Sequence, residues 1–221
     1  MPVLSTLADA RRQTSHIVVL DVFRASNTII EALARGAARI VPALEEAEAR
    51  ALKAAHPDWL LLGERHGVRI PGFDGDNSPS NLPARLDGRV VILTTSNGTR
   101  LLDACAADAT VLIGSFANAR AVVAALRAAG AVDPTFWACG TQGDVPAEED
   151  ELCARYLDDL WAGRAPDFAA VRAAAEAGSG GERLRRLGHL ADLALCLELD
   201  RTTLVPRRER GEGTWCIVTR P

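Results

Sequence analysis

Short apolar runs that alternate with helical patterns are the feature that most constrains how this chain can fold. Residues 16–21 form a short, β-branched run with no charge before its end, which is typical of a strand buried on both faces. A capping residue at Ser26 or Asn27 predicts a helix to about Gly36, followed by a strand over 38–42. This alternation predicts right-handed β-α-β units and a mainly parallel sheet.

The same alternation continues through the middle of the chain and gives way to a helical C-terminal third. We predict helices over 44–56 and 117–130 and strands over 59–62, 89–95, 110–114 and 134–139. Residues 147–200 are predicted to be almost wholly helical, with a break at Gly178-Ser-Gly-Gly181, and 202–206 with 214–219 to form a terminal hairpin. The expected fold is therefore α/β, layered α/β/α. A single unit over 1–221 is expected, and two intimately packed lobes that meet near residues 80–90 remain an alternative.

Composition excludes several classes of function. The chain has 221 residues, of which 48% are apolar, and a formal net charge of −4, so no broad basic surface is available for nucleic acid or an anionic membrane. Five cysteines without a Cys-x-x-Cys pair disfavour a disulfide framework or a zinc site. Because no apolar run approaches the roughly 20 residues of a membrane span, we expect a cytoplasmic protein, and self-association into a homo-oligomer is left open.

Polar clusters follow several of the predicted strands. They comprise Asp21 to Thr28, Gly63-Glu-Arg-His-Gly67 with the Gly- and Pro-rich loop to Pro79, Thr94-Thr-Ser-Asn-Gly-Thr-Arg100, and Gly140-Thr-Gln-Gly143. In an open α/β sheet the carboxyl ends of parallel strands face one crevice, where ligands bind. We therefore expect these distant segments to meet and to form a site for a small anionic phosphate ester.

Acidic residues in these clusters are candidate ligands for a hard cation. Asp21 ends a buried strand, where a nucleophilic phosphatase of the haloacid dehalogenase type also has Asp, but the second Asp of that pair is replaced here by Phe23. Asp21 is thus interpreted as a Mg²⁺ ligand or an orienting base, with helix capping as the structural alternative. Mg²⁺ needs only one or two carboxylates beside substrate oxygens, and Glu64 and Asp74 are the preferred partners of Asp21.

Arginines and a helix-opening turn are candidate anion-binding groups. Arg24, Arg65 and Arg100 follow strand ends, and a guanidinium fork matches two oxygens of a phosphate. Ser96-Asn97-Gly98-Thr99 can cradle an anion with its free amides, or it can be a simple turn. It lacks the Lys of a nucleotide P-loop, which disfavours a nucleotide-dependent phosphotransferase. Among the histidines, His66 is a candidate ligand contact, and His189 is interpreted as unrelated to the chemistry.

Taken in order, these segments resemble the 2-phosphosulfolactate phosphatase family. The matching motifs are Asp-Val-Phe-Arg-Ala-Ser-Asn-Thr-Ile at 21–29, Gly-Glu-Arg-His-Gly at 63–67, Gly-Phe-Asp-Gly-Asp-Asn-Ser-Pro at 72–79, Thr-Thr-Ser-Asn-Gly-Thr-Arg at 94–100, Gly-Ser-Phe-Ala-Asn-Ala at 114–119, Gly-Thr-Gln-Gly at 140–143 and Glu-Asp-Glu-Leu-Cys at 149–153. Their order and spacing match from about residue 16 to residue 160. Asn27 and Asp76 depart from the residues usual in that family, a hydroxyl side chain and Gly.

The resemblance implies Mg²⁺-dependent hydrolysis of 2-phosphosulfolactate to sulfolactate and phosphate, a step of coenzyme M biosynthesis. The expected site combines catalytic Asp21, Arg24, Arg65 and Arg100, metal ligands Asp21, Glu64 and Asp74, and substrate-binding Ser26, Thr28, Asn77, Ser96, Asn97, Gly98, Thr99 and Thr141. Two alternatives stay open. One is a phosphatase of a different phosphorylated acid, and the other is a non-catalytic module that binds such an acid.

Overall fold

The structure, a computed structural model, describes residues 15–96, 102–140, 145–211 and 215–219. Its strands are β1 His16–Leu20, β2 Arg39–Pro42, β3 Leu60–Arg65, β4 Val68–Arg69, β5 Val90–Thr94, β6 Thr110–Gly114, β7 Thr135–Ala138, β8 Arg207–Arg210 and β9 Trp215–Val218. Its helices are α1 Ala25–Ala34, α2 Glu46–Ala55, α3 Ala119–Ala128, α4 Glu148–Trp161, α5 Phe168–Ala177, α6 Ser179–Arg186 and α7 Leu190–Cys196.

The predicted alternation of strands and helices is present, with bounds that differ by a few residues. The predicted helical stretch over 147–200 corresponds to α4 through α7. The terminal hairpin is formed by β8 and β9, so its first strand begins at Arg207 and not near residue 202. The short strand β4, which pairs with the end of β3, was not predicted. Among the described residues no helix is long and apolar enough to cross a membrane.

The prediction of a mainly parallel sheet is wrong, because the sheet is mixed. The nine strands lie in the order β4-β3-β5-β2-β9-β8-β6-β1-β7. Within it, β3, β5 and β2 form one parallel block, and β6, β1 and β7 form another. The β8–β9 hairpin lies between the blocks and pairs antiparallel with β2 on one side and β6 on the other. The two parallel blocks consequently run in opposite directions along the sheet.

Sheet twist explains how the two blocks can still serve one site. Six strand-to-strand steps separate β3 from β1. At the usual rotation of roughly 20–25° a step, about 120–150° accumulate between them. Because β3 and β1 run in opposite directions along the sheet, this rotation leaves an angle of only about 30–60° between their directions in space. Their carboxyl ends therefore face a common region.

The packing of α1 connects the two blocks. One face of the sheet, with Ile17 and Val19 of β1, Ile40 of β2 and Leu93 of β5, forms a single apolar cluster with Ile29 and other residues of α1. The opposite face is divided between two clusters: α2 covers the β3–β5 side, and α3 through α7 cover the β1–β7 side. Because α1 begins at Ala25, four residues after Asp21, its packing against the sheet also fixes the position of the carboxyl end of β1.

Candidate active site

A pocket lies where the carboxyl ends of β1 and β3 meet helix α6. Its lining residues are Asp21, Phe23, Arg24, Glu64, His66, Gly67, Asn77, Ser96, Arg183, Leu184 and Leu187. The residues therefore come from both parallel blocks of the sheet and from the helical third. Strand-end clusters that are far apart in sequence do meet here, as the sequence predicts for Asp21, Arg24, Glu64, Asn77 and Ser96.

Asp21 is buried at the end of β1 and links the strand to α1. Its Oδ1 accepts a hydrogen bond from the Ala25 amide at 3.1 Å, and its own amide donates to Ser26 Oγ at 3.0 Å. Burial raises the pKa of Asp21 to about 6, although the Ala25 amide opposes the shift, and the charge of Glu64 raises it further. The described residues provide no hydrogen bond to Oδ2. Asp21 thus bonds to the first turn of α1 and lines the pocket.

Glu64 is also buried, but its carboxylate accepts several hydrogen bonds. Oε1 accepts the Ser96 amide at 2.9 Å, and Oε2 accepts the Gly67 amide. These bonds hold the β3–β4 turn against the segment that follows β5. Since a carboxylate has about four lone-pair positions, Glu64 can still bind a cation from the pocket side.

Arg24 is 2% exposed and is held by long-range contacts. Its Nη1 donates to Asp192 Oδ2 of α7 at 2.7 Å and lies 3.7 Å from Asp76 Oδ2, and its Nη2 donates to the Gly67 carbonyl at 3.2 Å. Two of the five N–H donors of Arg24 are thus used by described residues, and its guanidinium is fixed by them. Its charge remains in the pocket wall, where it favours an anionic ligand.

Asp192 fixes Arg24 and the loop that carries Asn77. Besides Arg24, its carboxylate accepts the Ser78 hydroxyl at 2.7 Å and the Ser80 amide at 3.0 Å. Burial acts to raise the pKa of Asp192, but the hydrogen bonds from Ser80, Arg24 and Ser78 outweigh it and lower the pKa. Asp192 therefore supports the pocket as an ionised acceptor. Its position late in the helical third provided no sequence signal for this role.

Asn77 presents an unpaired polar atom in this wall. The residue is 3% exposed and lines the pocket, and within the described ranges its Oδ1 has no hydrogen-bond partner. A buried unpaired carbonyl costs about 1–3 kcal/mol, which a hydroxyl or ammonium donor of a ligand would offset. Ser26 and Thr28, predicted to bind substrate, do not line the pocket: the Ser26 hydroxyl accepts the Asp21 amide, and Thr28 is buried with Oγ1 unpaired in the described structure.

Like Ser26 and Thr28, the predicted site residues Arg65 and Asp74 do not line the pocket. Arg65 donates to the Glu64 carbonyl at 2.8 Å and to Thr94 Oγ1 at 3.1 Å, so it braces the ends of β3 and β5. Asp74 accepts the Leu61 amide at 2.8 Å and pairs with Lys53 at 2.9 Å on the α2 side. The side chain of Asp74 is 37% exposed. Asn97, Gly98, Thr99, Arg100 and Thr141 lie outside the described residues.

Three side chains that the sequence reasoning did not assign contribute to the same region. Asp150 of α4 accepts the Val22 amide at 2.7 Å and the Gly140 amide at 3.2 Å, and thereby ties together the segments after β1 and β7. Burial raises the pKa of Asp150 well above its ordinary value, and the charges of Glu149 and Asp21 add to this effect. His189, interpreted as unrelated to the chemistry, lies with Nε2 3.3 Å from the Gly67 carbonyl. Arg183 lines the pocket itself.

The donor set of the pocket fits a Mg²⁺ ion bound by few protein ligands. Among the described residues no group of three or more His, Cys, Asp or Glu side chains has metal-binding geometry. Asp21 and Glu64 nevertheless line one pocket, and the charge of Glu64 raises the cost of ionising Asp21. A divalent cation relieves that repulsion, and Mg²⁺ commonly uses only one or two carboxylates together with water and substrate oxygens.

Comparison with known proteins identifies the family. The family model described as 2-phosphosulpholactate phosphatase matches residues 4–211. A relative from Symbiobacterium thermophilum, named probable 2-phosphosulfolactate phosphatase, is 37% identical over 88% of this chain and 91% of its own length. A protein of the same name from Carboxydothermus hydrogenoformans is 34% identical over 91% of this chain and 89% of its own length. Another, from Caldicellulosiruptor saccharolyticus, is 38% identical over 69% of this chain and 65% of its own length. The resemblance of the sequence motifs is confirmed, and the chain belongs to the 2-phosphosulpholactate phosphatase family.

Proposed function

We propose that this protein is a Mg²⁺-dependent phosphatase that hydrolyses 2-phosphosulfolactate to sulfolactate and phosphate. The observation that carries the proposal is a pocket in which Asp21 and Glu64 face one space beside the charge of Arg24, in a chain of this family. Such a pocket matches a substrate with several negative charges and a bound cation. In this proposal the sulfolactate serves coenzyme M biosynthesis, as the family resemblance implies.

Each pocket residue has a distinct role in this proposal. Asp21 and Glu64 would hold Mg²⁺, which would supply Lewis-acid stabilisation of charge on a phosphate oxygen. The pKa of Asp21, about 6, leaves its carboxylate mostly ionised at neutral pH, as a metal ligand requires. Arg24 contributes its charge from a position that Asp192 fixes, and preorganised charge of this kind commonly supplies a large catalytic term.

Asn77 and Ser96 bind the substrate at the margin of the pocket. Asn77 Oδ1, unpaired in the described part of the chain, accepts a hydrogen bond from a water bound beside the substrate. Ser96 begins the segment 96–100, whose amides and Arg100 we expect to bind the phosphate. Because Glu64 Oε1 accepts the Ser96 amide, the metal ligand and the start of the phosphate loop are fixed together.

Phosphate release from a panel of phosphorylated acids tests the proposal. The panel contains 2-phosphosulfolactate, 2-phospholactate, 2-phosphoglycerate and phosphoserine, each with Mg²⁺ and with EDTA. We expect the highest kcat/KM for 2-phosphosulfolactate, loss of activity with EDTA and recovery when Mg²⁺ is restored in excess.

Other results would identify a different function. A higher kcat/KM for another member of the panel would assign the protein to that phosphorylated acid. Binding of these compounds without phosphate release at any Mg²⁺ concentration would favour the non-catalytic module. Full activity in EDTA after extensive dialysis would contradict the metal requirement.

A further inference from the structure

The glycines at the Gly178-Ser-Gly-Gly181 break allow close helix packing, in addition to separating α5 from α6. A Cβ atom at Gly180 would lie 2.5 Å from both carboxylate oxygens of Glu149, and a Cβ atom at Gly181 would overlap the carbonyl oxygen of Glu176. Glycine at both positions therefore allows the first turn of α6 to lie directly against α4 and the end of α5. This close approach brings the following turn of α6 to the pocket.

Only one face of α6 reaches the pocket. Arg183, Leu184 and Leu187 line it, a spacing that places them on neighbouring positions of one helical face. Arg185 and Arg186 are exposed and are not among the lining residues. Of the three arginines in the last turns of α6, Arg183 alone is directed to the pocket.

Arg183 differs from Arg24 in how much of its hydrogen-bonding capacity the protein uses. Arg24 is bound by Asp192 and by the Gly67 carbonyl. For Arg183 the described residues provide one long hydrogen bond, from Nη2 to the Phe23 carbonyl at 3.5 Å. Most of its five N–H donors therefore have no partner within the described ranges and face no competing acceptor there.

The charge of Arg183 acts at the reaction centre that we propose. It partly offsets the raised pKa of Asp21, and its contribution is larger than that of Arg24. Because Arg183 and Asp21 line the same pocket, a ligand bound beside that carboxylate can meet the guanidinium.

We propose that Arg183 is a substrate-binding residue whose guanidinium binds an oxyanion of the phosphorylated acid. The inference rests on the proposed function for the identity of the substrate. The ligand is a small molecule with at least two anionic groups, one of them the phosphate. The planar fork of Arg183 binds two oxygens of one such group, a geometry that Lys cannot reproduce.

Three variants of the full-length protein test this role in steady-state hydrolysis of 2-phosphosulfolactate with Mg²⁺. We expect Arg183→Gln to lower kcat/KM about 10- to 100-fold, as the loss of a charged hydrogen bond predicts. We expect Arg183→Lys, which keeps the charge, to show a smaller loss of kcat/KM.

Arg185→Gln is the matched control: Arg185 lies on the same helix, and its ion pair with Glu176 at 3.4 Å is at the surface. We expect its kcat/KM within twofold of the wild type. Unchanged kcat/KM in Arg183→Gln would overturn the proposal.

Calorimetric titration with the reaction products separates this inference from the proposed function, because it requires no turnover. Sulfolactate and inorganic phosphate are titrated separately into wild type and Arg183→Gln with Mg²⁺. Weaker binding of sulfolactate alone identifies the carboxylate–sulfonate end as the group at Arg183, and weaker binding of phosphate alone identifies the phosphate. If wild type hydrolyses no member of the panel, the proposed function fails, and the titration still decides on Arg183. Equal affinities of both proteins for both anions, or no binding by either protein, would refute the role of Arg183.

Discussion

The carboxyl ends of β1 and β3 each supply one buried acid to the pocket, but the protein treats the two acids differently. Glu64 accepts backbone amides on both of its oxygens, whereas the described residues provide Asp21 with one amide donor, to Oδ1. Burial is therefore less compensated at Asp21, whose pKa is raised to about 6. Backbone amides thus fix Glu64 in place, and Asp21 bears the energetic cost of a buried charge.

Removing the charge of either acid tests the first half of this comparison. We expect Asp21→Asn and Glu64→Gln to lower kcat/KM for the best substrate by roughly 10³-fold, because several kcal/mol of charge stabilisation depend on the bound cation. Phosphate release over a range of Mg²⁺ concentrations measures the effect. Activity within tenfold of the wild type at saturating Mg²⁺ would exclude the residue concerned as a metal ligand.

Asp192→Asn tests whether Arg24 depends on its partner in α7. Removal of one partner from a buried ion pair costs about 3 kcal/mol or more, so we expect a comparable loss in the free energy of unfolding at pH 7. Because the folded-state pKa of Asp192 is lowered, its contribution is present above the unfolded value of 3.8 and is lost as pH falls through the folded pKa. Urea unfolding at pH 7 and pH 3.5 measures this.

The control for Asp192→Asn is the pH dependence itself. The difference between the variant and the wild type should be smaller at pH 3.5, because the unfolded-state carboxylate is already mostly protonated there, and it should shrink further as pH falls through the folded pKa. A difference that stays constant between the two pH values would show that Asp192 acts through packing and not through its charge.

Asp21→Asn should stabilise the protein even as it removes activity. The folded pKa of about 6 lies above the unfolded value of 3.8, so ionised Asp21 costs the fold about 2–3 kcal/mol above pH 6. That cost is absent below pH 3.8, develops as pH rises from 3.8 toward the folded pKa, and is complete above it. With EDTA present, we expect urea unfolding to show the gain at pH 7.5 and little of it at pH 4.

Glu64→Gln is the matched comparison for this effect. Gln cannot accept on both side-chain positions, so one of the two amides loses its partner, and we expect destabilisation of about 1–3 kcal/mol. If Asp21→Asn and Glu64→Gln change the free energy of unfolding in the same direction, the contrast between the two acids is wrong.

Asp74→Asn should have the smallest effect. It tests the third acid that the sequence predicts as a metal ligand, together with Asp21 and Glu64. Asp74 pairs with Lys53 near the surface and does not line the pocket, and exposed ion pairs contribute about 0–1 kcal/mol. We expect kcat/KM within twofold of the wild type and a stability loss below about 1 kcal/mol. A loss of Mg²⁺-dependent activity would restore Asp74 as a metal ligand.

Local signals were enough to predict most of the elements. The apolar run before Asp21, the capping position near Ser26 and the alternation through residue 139 correspond to β1, α1 and the strands of both blocks. Pairing between strands was not predictable in this way. The β8–β9 hairpin enters the sheet between β2 and β6 from the end of the chain, and no periodicity in either strand specifies its neighbours.

The site was predicted where a residue follows a strand and missed where it lies on a helix. Asp21, Glu64 and Ser96 follow β1, β3 and β5, a position that marks them as candidates in any α/β sheet. Arg183 and Asp192 lie in α6 and α7, where charged residues ordinarily face solvent. Only the glycines at 180 and 181 hinted that α6 packs unusually closely.

The sequence by itself determined the elements, the order of the acidic and guanidinium motifs and, through them, the family. The tertiary structure decided which of those side chains share a pocket and which arginine is available to a ligand. Arg24 and Arg183 are the same residue type, and what separates them is that Asp192, 168 residues from Arg24, binds one of them. Hydrogen-bond partners of this kind are brought together by packing, and the availability of a donor is therefore a property of the fold.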